Sequence, residues 1–167
     1  MRLPLKTLFS LTVASIAVVG TPAAAAPFDG AWSLDSKASQ PMDPILDALG
    51  YGWVSRKVFA TLDVEQYIAV KSGAFAVRVK TLFTNDTVVL PTNKRWAVGK
   101  NLDGGTTQRR SYWRRPGTHL VTEDRFESGH LMITERVLVS PDRFEERLQL
   151  KQARKPTLRG VRVFRRR

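Results

Sequence analysis

Two arginines lie inside apolar segments that alternate with a period of two. Arg162 sits between Val161 and Val163 in the closing stretch "GVRVFRRR", and Arg136 lies in "LMITERVLV" on the parity of Met132, Thr134 and Leu138. A guanidinium stays charged and presents a planar fork of donors that fits a carboxylate. If the faces carrying Arg136 and Arg162 point inward, two such forks meet over a cavity lined by Met132, Leu138, Phe164, Ile68 and Val79. That cavity would take a molecule with an apolar tail and an anionic head. Each CH₂ removed from water contributes roughly 0.8 kcal/mol. If the flanking valines point inward instead, both arginines are ordinary surface charges. Alternation alone leaves the two readings open.

Other chemistry is thin. The only histidines, His119 and His130, flank turns, and the absence of cysteine removes any imidazole–thiolate pair. No GxSxG elbow, Gly-rich phosphate loop or H-x-x-x-H spacing is present. Glu145 and Glu146 are adjacent, so in a strand they face opposite sides and cannot work together as an acid and a base. No metal, no cofactor and no enzymatic activity are expected. "RRSYWRRPG" mixes four arginines with Tyr112 and Trp113, the composition of a surface for single-stranded nucleic acid. In a strand, however, Tyr112 and Trp113 point to opposite sides, and only one can join Arg110 and Arg114.

The elements that must position these residues begin after a leader. "MRLPLK" gives a positive start, "TLFSLTVASIAVVG" an apolar run and "TPAAAA" small residues for cleavage, so residues 1–26 read as an export signal and 27–167 as one domain. The destination is periplasmic or secreted, where nucleic acid is a disfavoured partner. The net charge of +12 is uneven: 14 of the 18 arginines lie from Arg109 onward, which suits solubility and a general attraction to anionic surfaces. "PFDGAWSLDS" reads as a short strand with buried aromatics. In "KASQPMDPILDALGYGWVSRKVFATL", Ser39 can cap a helix starting near Pro41, and a second short helix follows Gly50 and Gly52. From residue 64 the period changes to two. The hairpin "EQYIAVKSGAFAVRVK" is followed by "TVVLP", "RWAVGKNL", "QRRSYWRR", "HLVTEDRF", "LMITERVLV", "FEERLQLK" and "GVRVFRRR". "LPTN", "LDGG", "RPG", "ESG", "SPD" and "RKPTLRG" supply the turns between them. The expected fold is mainly β: a ten-stranded antiparallel up-and-down barrel with a two-helix lid between its first two strands.

This order resembles the fatty-acid-binding protein family, the small lipid-binding β-barrels of the calycin superfamily. "FDGAWSLDS" looks like that family's opening signature. "LGYGWVSRKVF" is similar to its second lid helix, and "VRVKTLFTND" to the strand ending in a phenylalanine and an asparagine-containing turn. "WAVGKNLDG" and "RPGTHLVTEDRF" follow its pattern less tightly. "MITERV" places Arg136 at the family's first carboxylate-facing arginine, and "VRVFRRR" places Arg162 at its closing one. There Phe164 replaces the family's tyrosine, which leaves a neutral ligand open. The register slips after Asp142, because "ARKPTLRG" is longer than the turn it would replace.

The resemblance implies a carrier for a fatty acid or similar hydrophobic small molecule; the leader departs from a family that is mostly cytosolic and makes this one exported, and a monomer is expected. Arg136 and Arg162 would hold its head group. Phe164, Met132, Thr134, Ile68, Val79, Thr81 and Phe83 would line the cavity. Met42, Leu46, Tyr51, Trp53, Arg56 and Lys57 would form the lid and portal, with Arg56 and Lys57 also placed to meet an anionic membrane. Two rivals remain: a basic module that binds anionic membrane, polysaccharide or nucleic acid through its exterior, and a filled barrel that binds nothing.

Overall fold

A computed structural model describes residues 26–100 and 106–167. The expected leader, but for its last residue, and the "LDGG" turn at 102–105 lie outside the described residues. The chain forms β1 (Gly30–Asp35), α1 (Asp43–Ala48), α2 (Trp53–Thr61), β2 (Glu65–Lys71), β3 (Ala74–Lys80), β4 (Asn85–Pro91) and β5 (Ala97–Lys100). β6 (Thr106–Arg115), β7 (His119–Phe126), β8 (Leu131–Ser140), β9 (Arg143–Gln152) and β10 (Lys155–Arg166) complete it. The described strands make one antiparallel sheet in the order β4-β3-β2-β1-β10-β9-β8-β7-β6-β5. Ladder neighbours are neighbours in sequence except where β1 closes on β10. Beyond β4, Asn93 bridges Tyr112 and Lys94 N donates to Ser111 O at 3.0 Å, so the sheet curls until its β4 end meets β6. This is the expected up-and-down barrel with a helical pair between β1 and β2.

Two local expectations are corrected. α1 starts at Asp43 with no side-chain cap. Ser39 instead donates to Asp35 O and accepts from Val163 N, 2.7 and 2.9 Å, pinning the entry to the lid against β10. "RKPTLRG" is mostly strand rather than turn. The chain reverses between the paired Gln152 and Lys155, with Arg154 at a left-handed φ of 58°, and a register shift between Lys155 and Leu158 absorbs the extra residues. A β-bulge costs less than a long loop here because both strands keep pairing beyond it.

The concave face is packed at both ends. Phe28, Trp32, Phe75, Phe144 and Phe164, all fully buried, form an aromatic plug. Phe144 stacks on Phe164 at 4.8 Å and meets Trp32 edge-on at 4.9 Å. Such pairs contribute roughly 0.5–1.5 kcal/mol beyond their burial. Trp32 satisfies its indole N–H on Phe28 O at 2.9 Å. At the other end Ile45 of α1 packs on Met132 and Leu150, with Met42, Leu148, Leu158 and Phe126 around them. Gly160 permits this contact: a Cβ there would stand 3.1 Å from Met42 Sδ and 3.2 Å from Ile45 Cδ1. The lid therefore rests on the backbone of β10.

Candidate functional site

Between the plug and the lid the same inward rows turn polar. Arg162, Glu146 and Arg136 stand opposite one another in the ladders of β10, β9 and β8. Arg162 is two residues from the buried Phe164 and shares its face, and Arg136 is two residues from Leu138, which packs on the same core. Both arginines therefore point inward. Glu146 sits between them: Arg136 Nη2 is 2.9 Å from its Oε1 and Arg162 Nη1 is 3.6 Å from its Oε2. Gln66 of β2 reaches across to donate Nε2 to Glu146 Oε1 at 3.0 Å. Phe75 covers Arg136, its ring centroid 5.8 Å from the guanidinium carbon.

Glu146 is only 3% exposed. Burial pushes its carboxyl up, but the charges of Arg136 and Arg162 and the hydrogen bonds from Gln66 and Arg136 outweigh that and hold it below its ordinary value. It is an internal counterion. A neighbouring inward pair, Arg109 and Asp124, closes at 2.5 Å. There burial wins and raises the Asp124 carboxyl, against the opposing pull of Arg109. Ser111 and Thr122 share a buried hydroxyl–hydroxyl contact of 3.2 Å beside it.

Not every residue expected at the site meets there. Ile68 is buried and Val79 half-buried, both among the packed core residues, and Phe164 is in the aromatic plug. Met132 lies under α1 and Thr134 is half-buried on the row between Met132 and Arg136. Thr81 is half-buried in a turn, its Oγ1 accepting from Phe83 N and Thr84 N, both at 3.1 Å. Phe83, expected inside, stands 70% exposed beyond the end of β3. On the lid, Met42 packs inward, Leu46 is half-buried, Tyr51 meets Phe59 edge-on at 5.7 Å, and Trp53 is 65% exposed. Arg56 is not turned outward: it pairs with Asp43 at 3.1 Å and with Asp47, stapling α2 to α1, while Lys57 is exposed. Sequence reasoning missed Glu146 and Gln66. The signal was parity: Glu146 shares a face with Phe144, Leu148 and Leu150, and Gln66 with Ile68 and Val70.

On the exterior, Arg110 and Arg114 of "RRSYWRR" face carboxylates. Arg110 donates to Glu123 at 2.7 and 2.9 Å, and Arg114 lies 3.0 Å from Glu135. Tyr112 donates its hydroxyl to Glu123 at 3.0 Å. Trp113 points the other way, into the core beside Phe75 at 5.8 Å.

No family model matches the sequence, and no curated protein matches it either. Solved structures do match in shape. The chain is similar to Echinococcus granulosus fatty-acid-binding protein 1, with a TM-score of 0.71 and 15% identity over 84% of this chain and 97% of that one. A Schistosoma mansoni fatty acid binding protein in complex with arachidonic acid gives 0.70 and 14% over 87% and 99%. Apo Caenorhabditis elegans lipid binding protein 8 gives 0.71 and 15% over 84% and 96%. The fold is that of the fatty-acid-binding proteins.

Proposed function

We propose that this chain is an exported binding protein that holds a fatty-acid-like hydrophobic small molecule inside its curled sheet, without turning it over. The observation that carries this reading is the inward polar layer of Arg136, Arg162, Glu146 and Gln66, set between two apolar clusters under a helical lid. Charge is expensive to bury and adds nothing to packing, so a polar layer at that depth needs a use. The Schistosoma relative in shape was solved with arachidonic acid, which supports a chain-like ligand. Export rests on the leader-like composition of residues 1–26.

Titration of delipidated mature protein with an environment-sensitive fluorescent lipid, at low and high salt, tests the proposal. Saturable one-to-one binding that survives high salt supports an interior site, because buried contacts are weakly screened. Binding that disappears with salt supports the basic exterior module instead. The pairing of Arg110 and Arg114 with Glu123 and Glu135 speaks against that alternative.

A further inference from the structure

The inward layer holds an unmatched donor and an unmatched acceptor on two side chains that meet at one carboxylate oxygen. Glu146 Oε1 receives both Gln66 Nε2 and Arg136 Nη2. On those same two side chains, Gln66 Oε1 and Arg136 Nε are buried and have no hydrogen-bond partner. The orientation of the Gln66 amide follows from its neighbour: turned over, it would point its oxygen at an ionised carboxylate. Gln66 is 3% exposed, so its orphan acceptor is not served from bulk solvent.

A carboxylate does not answer this arrangement. It only accepts, so it can use Arg136 Nε but not Gln66 Oε1, and it would have to sit beside the ionised Glu146, which pairs with Arg136 at 2.9 Å and faces Arg162 at 3.6 Å. A hydroxyl donates and accepts through one atom. We infer that the interior selects a neutral lipid whose head is a hydroxyl, a long-chain alcohol in chemical class. Its oxygen accepts from Arg136 Nε and its proton goes to Gln66 Oε1. Glu146 sets this preference by standing where a ligand carboxylate would otherwise pair with Arg136 and Arg162. The inference rests on the carrier reading above and refines its head group.

The test is calorimetric titration of the delipidated mature protein at pH about 8, where a carboxylate is ionised, with 1-dodecanol and with dodecanoate. The wild type should bind the alcohol roughly tenfold or more tightly than the acid, the scale of one charged hydrogen bond. Glu146→Gln should narrow or invert that ratio by freeing the two guanidiniums. Equal or tighter binding of dodecanoate by the wild type, or an unchanged ratio in Glu146→Gln, overturns the head-group inference and leaves the carrier reading standing. Binding of neither compound sinks the carrier reading, and this inference with it. If Glu146→Gln does not fold, Gln66→Leu replaces it. That variant should lose alcohol affinity several-fold with dodecanoate unmoved, and full retention of alcohol affinity overturns the inference.

Discussion

Removing the internal counterion should be among the costliest changes the chain can suffer. In Glu146→Leu, Arg136 and Arg162 face each other across β9 with no carboxylate between them, and Gln66 loses its acceptor. The two arginines do not suffer equally. The Arg162 side chain is 24% exposed and can swing part of its charge toward water, whereas that of Arg136 is 14% exposed, has a buried Nε and lies under Phe75. Breaking a buried pair by deleting one partner costs about 3–5 kcal/mol, because the other charge is left uncompensated. With one of the two cations relieved by solvent, the lower end applies: about 3 kcal/mol at neutral pH. Urea unfolding reads this as a fall in midpoint at unchanged slope. The double variant Arg136→Met with Glu146→Leu removes the stranded charge and should recover more than half of the loss, since apolar replacement of a buried pair is often neutral. A single variant losing less than about 1 kcal/mol, or a double variant with no recovery, would refute the counterion argument.

Acid should expose the same residue with a defined sign. Glu146 has a folded-state carboxyl held below its ordinary 4.5, so its contribution is present above that pH and is lost as pH falls through the folded value. Asp124 runs the opposite way: its carboxyl is raised above 3.8, so its contribution is present below that pH and is lost as pH rises through the folded value. Urea midpoints across the acid range should therefore flatten at low pH in Glu146→Gln, and Asp124→Asn should raise stability at neutral pH relative to acid; parallel curves for wild type and variants would contradict both. Gly160→Val drives a branched side chain into Met42 and Ile45, at 3.1 and 3.2 Å from the first added carbon, and should cost about 1–3 kcal/mol by overpacking. Its signature is faster amide exchange across α1, and unchanged exchange would show that the lid does not rest on that glycine. Phe144→Ala takes a fully buried ring away from Phe28, Trp32 and Phe164 and should cost about 3–5 kcal/mol in the same assay.

Most of the architecture was legible because each strand carries one apolar row. "HLVTEDRF" is β7 to the residue, and the helical pair falls between β1 and β2 as its period-breaking glycines and prolines require. What was not legible is what lies between rows in space. Ser39 has the composition of a helix cap, yet a competing backbone donor from Val163, far along the chain, takes its hydroxyl. "RKPTLRG" has the composition of a loop, yet pairing with β9 on both sides of the bulge outweighs its local preference. For the site, the inward direction of Arg162 could not be read from its Val-Arg-Val alternation, nor that of Arg136 from a strand with apolar residues on both faces. Glu146 removes that ambiguity. It lies on the row of Phe144, Leu148 and Leu150, and a carboxylate on an apolar row implies an interior cation to match it.

That pairing also explains how such an interior can exist without a ligand. Two guanidiniums facing each other inside a low-dielectric sheet repel, and a carrier that relied on its ligand's carboxylate to neutralise them would be least stable when empty. Here the neutralising charge is part of the chain, held below its ordinary value by the same arginines it serves. The interior sets one carboxylate against two guanidiniums, and Arg162, 24% exposed, shares its remaining charge with water, so ligand binding need not supply the counterion that folding requires. On the proposed carrier reading, the two orphan atoms on Gln66 and Arg136 are the groups left for a ligand, and they call for hydrogen bonds rather than charge. A ligand acting on them stabilises the fold only by mass action, about 2.7 kcal/mol at a hundred times its Kd. On the proposed carrier reading, one layer does both tasks: Glu146 supplies the counterion that folding requires and turns away a ligand carboxylate, and the unpaired atoms of its partners meet the ligand.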